Sequence, residues 1–103
     1  MDYKDKRWIK KRKAILRRDG YECQESKRYG KSLQATTVHH IYPVELYPEL
    51  AFVDWNLISF SNSKHNAMHV RNSHELTELG KQWQEKVRDK FEVWLQNKNP
   101  PYL

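Results

Sequence analysis

The first apolar residues of the chain recur with a helical period. Trp8, Ile15 and Leu16 fall at i, i+7 and i+8, with Arg12 at i+4 lending its aliphatic stem to the same face. The positions between them are almost all Lys or Arg, so the pattern predicts an amphipathic helix over residues 4–18, stopped by Asp19-Gly20. Residues 21–35 are polar around Gly30 and read as a loop or irregular knuckle. From 36 to 42 the chain turns β-branched and aromatic and is closed by Pro43, which predicts a strand. Alternation places Val38, His40 and Tyr42 on one face and Thr37, His39 and Ile41 on the other. A turn around Pro48 follows, with a short second strand expected at 51–54. Asn56 to His69 reads as a loop leading into a helix, with Ser61 or Ser63 as N-cap. A long helix over 74–97, capped by Ser73, carries the stripe Leu76, Leu79, Trp83, Val87, Phe91, Trp94 and Leu95. Gly80 interrupts that stripe and marks a kink or the junction of two helices. Pro100-Pro101 closes the chain as a tail.

Length and composition narrow this to a single α+β domain over residues 1–103. Four Trp, six Tyr and three Phe enlarge a core that must still be thin, so a bound metal is a reasonable extra source of stability. The lone Cys23 excludes an internal disulfide and an all-cysteine zinc site. No run of 18 apolar residues and no signal-peptide pattern is present, which reads as a soluble, cytoplasmic protein without membrane contact.

Charge is unevenly placed. Residues 1–20 hold nine basic against three acidic residues, a local +6 that equals the net charge of the whole chain. A basic arm on a neutral body suits a polyanionic partner whose phosphates release counterions on binding. A solvated helix face is the alternative.

Four of the five histidines come in pairs. His65 and His69 share one face if helical, a spacing at which two imidazoles bind one ion. Asn66 stands where a metalloprotease helix of this kind carries its Glu base, so peptide hydrolysis is disfavoured. His39 and His40 are adjacent on a strand and point to opposite faces. Such a pair can divide into one metal ligand and one general base, since imidazole titrates near neutrality. A hydrogen-bonded, half-buried pair is the plainer alternative.

These residues taken in order resemble the HNH endonuclease family and its small phage-type members. The resemblance runs over about residues 36–70: His39-His40-Ile41-Tyr42-Pro43, then Trp55-Asn56-Leu57-Ile58, then His65-Asn66-Ala67-Met68-His69. Asn56 lies sixteen residues after His40 and nine before His65. The flanking Arg17-Arg18-Asp19-Gly20-Tyr21-Glu22-Cys23 and the helical tail also look phage-like. The resemblance implies a ββα-metal (His-Me finger) core, a short β-hairpin packed on a helix, flanked by the basic N-terminal helix and a long C-terminal helix. It implies His39, His65 and His69 as ligands of one divalent ion, His40 as general base, and Asn56 as the residue that fixes the catalytic loop. It implies metal-dependent hydrolysis of DNA phosphodiesters. Lys10, Lys11, Lys13, Arg17 and Arg18 of the first helix, with Lys64 and Arg71, are the candidate phosphate contacts. Three imidazoles favour Zn²⁺, Ni²⁺, Co²⁺ or Mn²⁺ by ligand softness, while phosphate and water oxygens keep Mg²⁺ open.

The resemblance also implies partners. Small proteins of this kind are often encoded beside a phage DNA-packaging terminase; homing, restriction and repair roles stay open, as does a non-catalytic nucleic-acid-binding accessory protein. One departure stands out. Many phage-type relatives carry a four-cysteine zinc knuckle, but here Ser26, Ser61 and Lys64 stand with Cys23 at those positions. Serine and lysine do not hold structural zinc, so no zinc knuckle is expected, and Tyr21, Tyr29 and Phe60 are expected to pack these loops instead.

Overall fold

The computed structural model describes residues 1–98. The predicted Pro100-Pro101 tail lies outside them.

Helix α1 spans Lys6–Arg18. It begins two residues later than the periodicity suggests because Asp5 caps it, its carboxylate accepting from the Arg7 N–H at 2.8 Å. The helix ends as the sequence predicts. Gly20 adopts φ +64°, and the N–H groups of Gly20 and Tyr21 donate back to the carbonyls of Arg17 and Leu16. These two hydrogen bonds close the helix end and satisfy two orphan carbonyls. Trp8, Ile15 and Leu16 are buried beneath it.

The segment expected to be irregular contains a short helix, α2 (Gln24–Lys27). Its buried Glu25 pairs with Arg28 at 2.5 Å, and the Arg28 guanidinium lies over the Trp83 ring. Tyr21 and Tyr29, expected to pack these loops, are 50% and 68% exposed. Phe60 alone of the three is buried; Trp83 and the Glu25–Arg28 pair do the packing in place of the tyrosines.

Strands β1 (Thr37–His40) and β2 (Leu57–Phe60) pair antiparallel, with Thr37 opposite Phe60 and His40 opposite Leu57. The second strand is therefore not at 51–54. Residues 51–53 instead link two single 3₁₀ turns, Pro48–Leu50 and Asp54–Asn56, and Asp54 begins the second. Leu57, Ser59 and Phe60 are all buried, so both faces of β2 are covered and the period-2 signal is lost.

Helix α3 is short, Asn62–Asn66, with the Ser61 hydroxyl as its N-cap. The predicted 74–97 helix is two helices, α4 (Glu78–Lys86) and α5 (Arg88–Lys98), broken at Val87 rather than at Gly80. Thr77, not Ser73, caps α4. Residues 70–75 instead form a tight turn in which the Val70 N–H donates to the Glu75 carbonyl and the Ser73 hydroxyl accepts from the Glu75 N–H. Gly80 has a different use. A Cβ there would meet the Met68 carbonyl oxygen at 2.5 Å, so its absence lets α4 close onto the chain beside His69.

The two-stranded ribbon is covered on both sides. One cluster, with Trp8, Ile15, Leu16, Val38 and Leu57, joins it to α1. The other, with Ile41, Leu50, Phe60, Met68 and Trp83, joins it to the C-terminal half, where Leu79, Val87, Phe91 and Trp94 also pack. From Leu79 to Trp94 the stripe read from the sequence thus faces one core despite the break, while Leu76 lies ahead of α4, bridged to His69.

Candidate active site

His39 and His40 leave β1 toward different halves of the molecule. His39, 1% exposed, turns toward α3, with ring centroids 5.2 Å from His65 and 5.4 Å from His69. His65 and His69 are 5.8 Å apart by the same measure. His69 is not helical as expected; α3 ends at Asn66, and His69 sits beyond it in a β-bridge with Leu76. The bridge nevertheless keeps its ring beside that of His65.

One ligand nitrogen from each of these three imidazoles lies within 4.8 Å of the others. Nitrogens sharing an ion at ~2.1 Å stand at most ~4.2 Å apart, so small side-chain rotations would close the triangle. Two atoms argue that the arrangement is built for a cation. His39 Nε2 and His69 Nδ1 are buried without any hydrogen-bond partner, a costly state for a polar atom unless a ligand satisfies it. Burial, and then the neighbouring His65, His69 and His40, holds His39 well below the ordinary imidazole pKa, and burial lowers His65 likewise. Neutral rings with free lone pairs are the form that binds metal.

His40 faces α1. Its ring stacks on Trp8, with centroids 5.0 Å apart and planes 22° from parallel. Its Nε2 lies 3.1 Å from the Ala51 carbonyl oxygen. A carbonyl only accepts, so this contact places the proton on Nε2 and leaves the lone pair on Nδ1. Burial lowers the His40 pKa, against the opposing pull of the Ala51 carbonyl and Glu45.

Asn56, fully buried, ties the loop between the strands to itself. Its Oδ1 accepts from the Tyr42 N–H at 2.7 Å, and its Nδ2 donates to the carbonyls of Tyr42 and Leu50 at 3.0 and 3.3 Å. Ala51, the partner of His40, follows Leu50 directly. Asn56 therefore fixes the backbone against which the imidazole is held.

The four histidines line one cleft of about 580 Å³. Among the described residues, none of the seven lysines and arginines singled out from the sequence lines it. Lys11 pairs with Asp54 at 2.6 Å. Arg18 donates to the carbonyls of Asp54 and Leu57 and pairs with Asp19. Lys10, Lys13 and Arg17 are exposed along α1, Lys64 is half-buried in α3, and Arg71 is exposed in the 70–75 turn. The cation that does line the cleft is Arg12, held by a 2.6 Å bond from Nη2 to the Thr36 carbonyl. Its guanidinium has five donors in all. The clue in the sequence was a charged residue on the apolar face of α1. Tyr3, Ser73 and the fifth histidine, His74, also line the cleft and carried no signal of their own.

An antiparallel ribbon, a short helix beyond it and imidazoles converging between them define a ββα-metal fold. Comparison with known proteins agrees. The solved structure of an HNH endonuclease from the deep-sea thermophilic bacteriophage GVE2, with manganese ion, matches with a TM-score of 0.60 and 31% sequence identity, over 62% of this chain and 70% of that one. The chain belongs to the HNH endonuclease family. No family model and no curated protein matches it. Among the described residues, no helix is long and apolar enough to cross a membrane.

Proposed function

We propose that this protein is a metal-dependent endonuclease that hydrolyses DNA phosphodiester bonds. His39, His65 and His69 hold one divalent ion, and the manganese of the GVE2 neighbour suits a three-imidazole set. When bound, the ion supplies Lewis-acid stabilisation of the charge that builds on the phosphate and the leaving 3′ oxygen. His40 Nδ1 takes the proton of the attacking water. The Ala51 carbonyl keeps the ring in the required tautomer and accepts from Nε2–H more strongly once the ring is charged. Burial of His40 favours the neutral ring, so the proton is readily released again. Asn56 holds the Ala51 segment in place, and Arg12 holds a phosphate oxygen so that water and leaving group stay in line. A phage DNA-packaging terminase is the partner we assign to this activity.

The observation that supports this most directly is the division of labour on β1. One histidine turns to a cluster of unpartnered imidazole nitrogens, and its neighbour is locked with one lone pair free. A supercoiled-plasmid nicking assay with Mn²⁺, Zn²⁺, Ni²⁺ or Mg²⁺ tests it. The wild-type chain nicks with at least one of these ions, and His40→Ala loses roughly 10²–10⁴-fold in rate with metal affinity intact. If both are equally inert with every ion, the chain is an accessory DNA-binding protein. A collapse of metal affinity in His40→Ala would mean that ligand and base were exchanged.

A further inference from the structure

The basic residues of α1 divide into three groups. Arg7, Lys11 and Arg18 are paired with carboxylates of the fold. Arg12 lines the cleft. Lys6, Lys10, Lys13 and Arg17 are exposed and, among the described residues, have no carboxylate partner. The spacing of the last group is 4, 3 and 4, one stripe along the helix. At 100° per residue the four fall within an arc of about 60°, roughly 160° around the axis from Trp8, Arg12 and Ile15. The buried and cleft-lining face of α1 and this stripe are therefore back to back. The stripe spans about 16 Å, the axial length over which one strand of a duplex presents about five phosphates.

We infer that this stripe is a second DNA-binding surface, separate from the cleft, that grips the backbone of a duplex segment other than the one being cut. This inference rests on DNA being the substrate class of the cleft. The stripe offers four cations, no apolar anchor and no paired carboxylate, so it recognises backbone charge and not sequence. It tethers the protein to long or folded DNA, such as two neighbouring duplexes in a packed array. The cleft alone determines the cutting step.

The test uses Lys6→Gln, Lys10→Gln, Lys13→Gln and Arg17→Gln combined. Glutamine is a good helix former and the sites are solvent-exposed, so folding is retained and is checked by circular dichroism. The DNA is an 8-bp duplex, too short to wrap from one face of α1 to the other. In Mn²⁺, with His40→Ala added to keep DNA intact, the chain is expected to bind two such duplexes and the quadruple variant one. On a 200-bp fragment the variant is expected to lose about three to four in the slope of log affinity against log salt, close to 0.9 per lost phosphate contact. With His40 restored, it is expected to cut the 8-bp duplex at the wild-type rate. A 1:1 stoichiometry for the unmodified stripe, an unchanged salt slope, or loss of short-duplex cutting in the variant would each overturn the separate surface. If the wild type cuts nothing, the nuclease proposal fails while the stoichiometry still decides this one.

Discussion

The indole of Trp8 and the imidazole of His40 lie nearly parallel with centroids 5.0 Å apart. The N-terminal helix thus sets the orientation of a side chain 32 positions further on, while His39, on the opposite face of β1, turns toward His65 of α3 and His69 just beyond it. Trp8→Phe keeps an aromatic face but leaves space behind it. Nicking is expected to slow by roughly ten- to a hundredfold, as for a misplaced catalytic group, with metal affinity within a factor of two. Single-turnover nicking and calorimetric metal titration separate the two. Equal loss in both would mean that Trp8 supports the whole site.

Asn56→Asp replaces two donated N–H groups with an oxygen facing the carbonyls of Tyr42 and Leu50. A buried network left unsatisfied in this way costs roughly 3 kcal/mol or more. Thermal and denaturant unfolding should show that loss. Nicking by the fraction still folded should fall as well, because the Ala51 carbonyl is no longer held against His40.

Gly80→Ala goes against the usual rule. In an open helix the change stabilises by about 1 kcal/mol. Here the added methyl meets the Met68 carbonyl and the Leu76 side chain, so the variant is expected to be less stable than wild type. It should also bind metal more weakly, since Met68 adjoins His69. A raised melting temperature would show that α4 can shift at no cost.

Without metal, the histidine cluster should make the fold acid-sensitive. His39 and His65 have folded pKa values below the ordinary 6.5. Below 6.5 the unfolded chain binds protons that the folded chain refuses, so stability is full above that pH and falls as the solution is acidified. Melting curves in chelator should be flat above pH 7.5 and decline toward pH 5.5. His39→Asn should flatten the decline. Added Mn²⁺ should raise the whole curve at neutral pH and lose its effect in acid, because protons and metal compete for the same lone pairs.

Arg12→Ala should reduce cutting by roughly a hundredfold, the scale for removing one preorganised donor from a developing charge. Binding of long DNA should change little, because the other cations of α1 remain. Arg12→Lys should recover only part of the rate, since an ammonium cannot both reach the Thr36 carbonyl and present a fork to phosphate. Full recovery would reduce Arg12 to a point charge.

Much of this arrangement was legible in the chain. The period of Trp8, Ile15 and Leu16 gave α1, Asp19-Gly20 gave its end, and the parity of Val38, His39 and His40 gave the two faces of β1. The spacing of His39-His40, Asn56 and His65/His69 pointed to the family. The rest is illegible in sequence for physical reasons. β2 was hidden because a four-residue strand buried on both sides shows no alternation. The break at Val87 was hidden because its two helices present their stripe to one core. The basic arm looked uniform because sequence does not tell a lysine that meets Asp54 from one that meets solvent. Sequence alone presents Arg12 as a hydrocarbon stem, because its cleft is assembled from elements far apart in the chain.

Adjacent residues of a strand point in opposite directions, and here that simple parity separates the imidazole that joins the His65–His69 cluster from the one stacked on Trp8. Sliding β1 back by a single position against β2 would put His40 into the seat of His39, facing His65 and His69, and move His39 to the place of Val38, so that the seat under the Trp8 indole would pass to Ile41. Both imidazoles would still be present, but one of their two seats would hold no imidazole at all. Insertions and deletions in descendants of this chain are therefore intolerable within the four residues Thr37 to His40, whereas the connection between the strands can absorb them only where it is exposed, as at Leu46, away from Ala51 and Asn56.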